Sequence, residues 1–216
     1  ILRVSNLLLG YDIPMVGVNL GNVGFLAEVE QNNIYEAVDK LFKEEYSVEN
    51  RMHICGSIYR NNEVIYEGKS LNDIVITRAG YSRIIYLKVF VNGELLDTYG
   101  ADGIIVSTPT GSTGYNMSAG GPIVSPNTNL IIVTPVSPHS LSSKSIVFSS
   151  EDEITIEVVK KRQADSEEVY ISFDGRKGIP LMIKDKITIG KSQETTKLIR
   201  IYNVGFYEVL RKKIVN

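Results

Sequence analysis

The run Tyr99–Pro126, YGADGIIVSTPTGSTGYNMSAGGPIVSP, joins an apolar segment to a loop rich in small and hydroxyl-bearing residues. The segment from Gly103 to Val106 predicts a buried strand that ends at this loop. Glycine lets a backbone approach a ligand closely, hydroxyl groups both donate and accept hydrogen bonds, and the flat ring of Tyr115 can stack on another ring. The loop therefore fits a polyhydroxylated, phosphate-bearing ligand, although a tight turn in a β-rich domain has a similar composition. Its hydroxyl residues are Ser107, Thr108, Thr110, Ser112, Thr113 and Ser118.

Composition narrows the class of protein. The 216 residues can form one large domain or two small ones, and 43% of them are apolar, enough for a packed core. A net charge of −2 without a basic stripe gives no electrostatic reason to expect nucleic acid as a partner. No apolar run approaches the length of a membrane span. We therefore expect no membrane contacts. The single cysteine, Cys55, cannot form an internal disulfide, which fits a reducing compartment, so we expect a cytoplasmic protein.

The hydrophobic periodicity changes after Tyr46. Before it, Ile13–Leu20 predicts a buried parallel strand and Ile34–Leu41 a helix, which together form the end of an α/β unit. After it, many short β-branched segments with turn signals at Asn61-Asn62 and Asn92-Gly93 predict a β-sandwich. The polar stretch 160–168 is predicted to be the tip of a hairpin, and the tail from residue 196 a strand followed by an amphipathic helix. The predicted fold class is therefore α/β plus all-β.

Four segments in order along the chain resemble the NAD kinase family: GVNLGNVGFLAEV (17–29), LNDIVITR (71–78), GADGIIVSTPTGSTGYNMSAGGPIV (100–124) and VYISFDGRKGIPL (169–181). The likeness extends from the first residue to the closing FYEVLRKKI. It implies transfer of the terminal phosphoryl group of ATP to the adenosine ribose 2′-hydroxyl of NAD. It also implies Mg²⁺ bound to the ATP phosphates, which need a hard cation, and a homodimer or homotetramer.

The resemblance also implies a division of the chain and a catalytic base. Residues 1–45 would be the C-terminal part of an α/β nucleotide-binding domain, 46–190 a β-sandwich that binds NAD, and 191–216 a tail that returns to the first domain. In the family a GGDGT loop precedes the helix that opens this chain, and its Asp is the proposed base. The opening ILRVSNLLLG is predicted to be a helix with no cap and no preceding strand. We therefore expect a longer protein whose catalytic Asp lies upstream of Ile1, with no catalytic residue in this chain.

Ligand contacts carry over from the family residue by residue. Asn72 and Asp73 stand at its Asn-Glu motif, with Asp73 one methylene shorter than the usual Glu, and Gly114 stands where many members have Ala. A carboxylate beside an amide can bind a ribose diol, although Asn-Asp is also a favourable turn pair. The predicted NAD contacts are Phe25, Asn72, Asp73, Gly100, Asp102, Thr113, Gly114, Tyr115, Asn116, Met117, Ser118 and Arg176.

Two other functions are compatible with parts of this pattern. One is a lipid kinase of the same superfamily, such as a diacylglycerol or sphingosine kinase, and the other is a catalytically silent dinucleotide-binding module. The loop from Thr110 to Ser118 together with Asn72-Asp73 favours the NAD kinase. No Cys/His cluster indicates a zinc site, His53 is predicted to be a half-buried strand residue, and His139 a loop residue.

Overall fold

The computed structural model describes residues 1–21, 25–80, 84–140, 143–160, 168–202 and 204–214. Helices are short in this part of the chain. They are α1 (Leu2–Leu7), α2 (Ile34–Phe42), α3 (Tyr115–Ser118) and α4 (Phe206–Ile214), with 3₁₀ turns at Gln31–Asn33 and Gly111–Thr113. Within the described residues, no helix has both the length and the apolar character needed to cross a membrane.

Strands make up most of the ordered elements. The first two, β1 (Val18–Asn19) and β2 (Val29–Glu30), pair in parallel. The others are β3 (Ser47–Arg60), β4 (Glu63–Ser70), β5 (Asp73–Arg78), β6 (Ile85–Val91), β7 (Glu94–Ala101), β8 (Gly103–Ser107), β9 (Leu130–Val136), β10 (Ile146–Ser149), β11 (Ile154–Val159), β12 (Val169–Phe173), β13 (Ile179–Leu181) and β14 (Lys186–Arg200).

Strands β3 to β14 form two antiparallel sheets that share one apolar core. Sheet 1 has the strand order β4-β3-β14-β11-β6-β7, and sheet 2 has the order β10-β9-β8-β5-β12-β13. Alternate residues such as Ile154, Ile156 and Val158 on β11 are buried in that core, as the alternating pattern requires. The structure confirms the predicted fold class, a small α/β part followed by a β-sandwich.

Both predicted hairpin turns are confirmed. Asn61 and Asn62 join β3 to β4 with φ of 53° and 66°, and Asn92 and Gly93 join β6 to β7 with φ of 51° and 83°. Positive φ at both central residues defines the type I′ turn, whose twist matches that of the paired strands. Asparagine and glycine tolerate this conformation better than other residues, which is why the two turns are visible in the sequence.

The prediction for 160–168 is wrong. Strand β11 belongs to sheet 1 and β12 to sheet 2, so these two strands do not form a hairpin with each other. Residues 161–167 lie outside the described part of the chain. Polar composition predicts a surface connection, but it carries no information about which strands the connection joins.

The N-terminal segment is joined to the tail of the chain. Met15 forms a parallel bridge with Leu198 of β14, in which the Met15 amide donates to Lys197 O at 3.0 Å. A second, smaller core contains Val29, Ala37 and Ile201. The strand predicted over Ile13–Leu20 is parallel, as expected, but only the two residues of β1 form it. Ile13 and Leu20, at the two ends of the predicted run, are exposed. Pro14 lacks an N–H group, and a two-stranded sheet offers the strand only one neighbour, so the apolar run does not become a buried strand.

Phe173, the last residue of β12 in sheet 2, packs against sheet 1. Its buried ring lies against Gly56 on β3 and Gly68 on β4, where an added Cβ would come within 3.1 and 2.9 Å of the ring. The Tyr66 ring packs on it with a centroid distance of 5.4 Å. Because the two glycines leave the space that Phe173 fills, this contact fixes the end of β12 over sheet 1.

We predict that Phe173→Ala lowers the free energy of unfolding by about 3–5 kcal/mol, because it leaves a cavity between the sheets. Urea denaturation followed by circular dichroism measures this change. Tyr170→Ala, a change on the half-buried side of the same strand, is the control and should cost much less. Equal losses for the two variants would contradict the role given to Phe173.

Candidate functional site

Strand pairing brings the hydroxyl-rich loop beside Asn72 and Asp73. Strands β5 and β8 are antiparallel neighbours, and Asp73 lies opposite Ser107, so the beginning of β5 meets the end of β8. The Thr108 amide donates to Asn72 O at 2.8 Å, and the Thr108 hydroxyl donates to Leu71 O at 2.5 Å. The loop is therefore fastened to the residues before β5 at its first turn.

Gly111 lets the loop lie directly on this backbone. A Cβ at position 111 would be 2.1 Å from Asn72 O, a distance that no side chain can occupy. At Gly114 a Cβ would be 3.6 Å from Asn72 Nδ2 and 4.0 Å from Asp73 Oδ2. The predicted ribose pair and the centre of the loop thus surround one small polar space beside Gly114, where no side chain intervenes.

The carboxylate of Asp174 organises the other side of this space. It accepts hydrogen bonds from the amides of Leu71, Asn72 and Asp73 at 2.9, 2.8 and 3.2 Å, and from Asn6 Nδ2 of α1 at 3.0 Å. In return the Asp174 amide donates to Asp73 O at 2.9 Å. In the sequence, Asp174-Gly175 is a typical turn pair. Its role was missed because the partner amides lie about a hundred residues away in the chain.

Asp73 is a buried acid with few means of stabilising a negative charge. Burial and the nearby charge of Asp174 raise the pKa of Asp73 to about 7. A carboxyl group with this pKa changes its charge near neutral pH. It can therefore accept a hydrogen bond from a ligand hydroxyl when ionised and donate one when protonated.

Some of the buried polar atoms without a hydrogen-bond partner lie in this region. Among the described residues, those atoms are Arg51 Nε, His53 Nδ1, Ser70 Oγ, Asn72 Oδ1 and Thr110 Oγ1. Ser70 and Asn72 flank Leu71, and Thr110 lies in the hydroxyl-rich loop. Folded proteins leave few such atoms, and a ligand or an ordered water is the usual partner.

His53 is fully buried, and not half-buried as predicted. Its Nε2 lies 2.7 Å from the Thr196 hydroxyl across β3 and β14, and burial lowers its pKa to about 4. The neutral imidazole therefore serves as a packed, hydrogen-bonded residue in this structure. Residues 51–54 of β3 are all buried, so both faces of the strand are covered there and the usual alternation of buried and exposed residues does not apply.

A cavity of about 460 Å³ opens next to the loop. Phe25, Thr110 and Thr113 line one part of it, and Phe206 of α4 packs against Phe25 with a centroid distance of 6.2 Å. The cavity combines an aromatic wall with an unpartnered hydroxyl, which suits a planar base with polar edges. Thr110 is one of the lining residues absent from the predicted contacts, although the sequence shows it as one of the hydroxyls in the loop.

The structure brings only some of the predicted NAD-contact residues close together. Asn72, Asp73 and Gly114 meet at the polar space, and Phe25 and Thr113 line the neighbouring cavity. A further group is exposed on the short helix α3 and its flank: Tyr115, Met117 and Ser118.

Asn116 does not fit the predicted ligand contact. Its side chain is fully buried, Nδ2 donates to Ser112 O and Pro122 O, and Oδ1 accepts from the Thr134 hydroxyl at 2.7 Å. Gly121 passes so close that a Cβ there would lie 2.1 Å from Asn116 Oδ1. Because its side-chain polar atoms are engaged within the protein, Asn116 holds the loop in shape in this structure.

Gly100 and Asp102 lie at the opposite end of the strand pair. The Arg78 amide, at the end of β5, donates to Asp102 O at 3.1 Å, and Arg78 Nε donates to Asp102 Oδ1 at 2.7 Å. Five residues of extended strand separate Arg78 from Asp73, a distance of ~17 Å. Within one chain, these two predicted contacts are therefore not brought to the polar space.

Arg176 braces the turn that carries Asp174. Its Nε donates to Phe173 O at 2.9 Å and its Nη2 to Lys69 O at 2.6 Å, while the guanidinium lies 5.8 Å from the centre of the Phe173 ring. These bonds tie the end of β12 to the end of β4. The side chain is nevertheless exposed, so its remaining N–H groups face solvent beside the site.

The part of the chain that the structure describes contains no group of three or more His, Cys, Asp or Glu residues that could hold a metal ion. The Asp174 carboxylate is already occupied by N–H donors.

Sequence comparison identifies two family models. The ATP-NAD kinase C-terminal domain matches residues 71–201, and the ATP-NAD kinase N-terminal domain matches residues 1–46. The NAD kinase of Lachnoclostridium phytofermentans is 44% identical over 215 residues, which are 99% of this chain and 75% of that protein. The NAD kinase of Agathobacter rectalis is 46% identical over 205 residues, 95% of this chain and 71% of that protein.

Solved structures share the fold. Yeast NADH kinase complexed with NADH has a TM-score of 0.83 and 24% identity, covering 99% of this chain and 62% of that protein, so the likeness concerns the fold alone. An NAD kinase from Archaeoglobus fulgidus in complex with ATP has a TM-score of 0.73 and 28% identity, covering 91% of this chain and 74% of that protein.

The raised pKa of Asp73 predicts a pH-dependent stability. Between about pH 4 and pH 7 the unfolded chain has lost the Asp73 proton while the folded chain retains it, so the free energy of unfolding falls as pH rises through this window. Asp73→Asn removes this contribution. Relative to the variant, the unchanged protein should lose stability between pH 4 and pH 7, by at most about 4 kcal/mol. Urea denaturation across this range measures the difference, and parallel stability curves would contradict the shifted pKa.

Proposed function

Because the chain belongs to the NAD kinase family, we propose that its site binds the adenosine ribose of NAD and presents the 2′-hydroxyl to ATP. The function is that of an NAD kinase, and neither a lipid kinase nor a silent binding module receives support from the relatives. The observation that carries the assignment to this site is the polar space at Gly114. There an amide with an unpartnered oxygen, Asn72, lies next to the buried carboxyl group of Asp73.

The proposed contacts divide by chemistry. The Asn72 amide and the Asp73 carboxyl face the ribose hydroxyls, since together they supply acceptors and donors for a diol. Phe25, Thr110 and Thr113 line the cavity that would take the base. The exposed residues of α3, which are Tyr115, Met117 and Ser118, would contact the remainder of the dinucleotide, and the outward N–H groups of Arg176 would face its phosphates.

ATP is the proposed phosphoryl donor, as the ATP complex of the Archaeoglobus fulgidus relative supports. Phosphoryl transfer depends mainly on positioning and on neutralising charge, and the proposed Mg²⁺ would arrive bound to the ATP phosphates. The described residues would then position the acceptor ribose, and the base that activates its hydroxyl is proposed to be the Asp of a GGDGT loop. A cytoplasmic location is part of the proposal, supported by the single cysteine.

The proposed homodimer or homotetramer gives Gly100 and Asp102 a role in binding. Their distance from Asp73 within one chain means that a ligand held at the polar space would meet them most directly on a second copy of the protein. Analytical ultracentrifugation is expected to give a dimer or tetramer with and without NAD. A monomer in both conditions would remove this assembly and the proposed contacts of Gly100 and Asp102.

We predict that Asn72→Ala and Asp73→Ala each weaken NAD binding by roughly 1–3 kcal/mol, because each leaves ribose hydroxyls without a partner. Calorimetric titration of NAD into the folded variants measures the loss. Asp39→Ala, a change on the exposed face of α2, is the comparison and should leave the affinity unchanged. Unchanged affinity in both site variants would mean that Asn72 and Asp73 form a turn and do not bind the ribose.

A further inference from the structure

Glu28 connects the two segments that carry the aromatic wall of the cavity. One of its carboxylate oxygens accepts from the backbone amides of Ile201, at 3.0 Å, and Tyr202. Glu28 follows Phe25 by three residues, and Tyr202 precedes Phe206 by four. The carboxylate therefore holds the chain just after one aromatic ring against the chain just before the other.

A row of alternating charges anchors Glu28 to sheet 1. Its second oxygen lies 3.4 Å from Arg200 Nη1, Arg200 Nε donates to Glu49 Oε2 at 2.9 Å, and Glu49 also pairs with Arg51. The Glu28 and Arg51 side chains are only 7% and 3% exposed, so these pairs are shielded from solvent screening. Burial raises the pKa of Glu49, but its hydrogen bonds with Arg200 and Arg51 outweigh this and leave the pKa lowered, which keeps Glu49 ionised.

The row of charges also lines the cavity. Glu28, Glu49, Arg51 and Arg200 contribute to its walls together with the rings of Phe25 and Phe206. A buried charge that loses its partner is costly, so the row resists rearrangement when the cavity is empty. The distance between the two aromatic rings is consequently fixed before a ligand arrives.

We propose that Glu28 is a positioning residue for nucleotide binding: by holding the Ile201–Tyr202 backbone, it keeps the Phe206 ring packed on Phe25, so that the two rings form a preformed wall for the planar base. This inference rests on the proposed function, since the ligand is NAD and the base is its adenine. Preformed contacts reduce the ordering that binding would otherwise require. Glu28 affects the affinity for NAD only by positioning the two aromatic rings.

The test is the affinity of the protein for NAD, measured by calorimetry. Glu28→Gln loses the charge that binds Arg200 and weakens the hydrogen bonds to the Ile201 and Tyr202 amides, because a neutral carbonyl accepts more weakly than a carboxylate. It should weaken NAD binding by roughly ten- to a hundredfold. The matched control is Glu36→Gln, which breaks an exposed ion pair between Glu36 and Lys40 on α2 and should leave the affinity unchanged. Nicotinamide mononucleotide, which lacks the adenine, is the second probe, and its binding should not respond to Glu28→Gln.

A double-mutant cycle with Phe206→Ala separates positioning from a general loss of folding. If Glu28 acts by placing the Phe206 ring, Glu28→Gln should have little further effect once that ring is gone. Additive losses in the cycle, or equal weakening of NAD and nicotinamide mononucleotide, would overturn the inference. If Glu28→Gln unfolds at the assay temperature, Glu28→Asp, which keeps the charge but has a shorter reach, replaces it in the same cycle.

The outcomes distinguish this inference from the proposed function. If the unchanged protein binds NAD and Asn72→Ala weakens it while Glu28→Gln does not, the proposed function stands and the role of Glu28 is wrong. If the unchanged protein does not bind NAD, the proposed function fails and the inference fails with it.

Discussion

The geometry of the site depends on one carboxylate, that of Asp174, which accepts hydrogen bonds from three consecutive backbone amides at Leu71, Asn72 and Asp73. Amides at the start of a strand are difficult to satisfy, because the neighbouring strand has not yet begun to pair with them. A charged acceptor satisfies all three at once and forms stronger bonds than a neutral one. The side chains of Asn72 and Asp73 are thereby held in place without using their own polar atoms, which remain free to meet a ligand.

This arrangement has an electrostatic consequence. The charge of Asp174 is stabilised by N–H donors, whereas Asp73 is buried beside that charge without comparable donors, and its pKa rises to about 7. Two adjacent carboxyl groups thus have different roles, one as an anchor for backbone amides and one as a group that can change its protonation near neutral pH. Perturbed acids of this kind are typical of functional sites, and here geometry and pKa indicate the same place.

Features that depend on neighbouring residues could be predicted from the sequence. The type I′ turns at Asn61-Asn62 and Asn92-Gly93, the alternation along β11 and the glycine-rich loop all follow from neighbouring residues. Contacts between distant segments were not readable in this way. Asn116 resembles the other polar residues of its loop but is enclosed by Thr134 and Pro122, and Asp174 resembles an ordinary turn residue. Similarly, Asp102 is adjacent to the loop in sequence, but it lies at the other end of β8.

Glu28 and Asp174 solve the same physical problem on the two sides of the site. Each is an acidic side chain that accepts from consecutive backbone amides of a segment more than a hundred residues away in sequence. A loop that must stay open to a ligand cannot be held by packing alone, because packing would fill the space. Hydrogen bonds from a carboxylate to a backbone fix the position of a loop from its outer side and leave the inner side clear. The residues around the polar space at Gly114 and the aromatic wall of the cavity at Phe25 are therefore both held from outside, and such preformed geometry reduces the ordering that ligand binding requires.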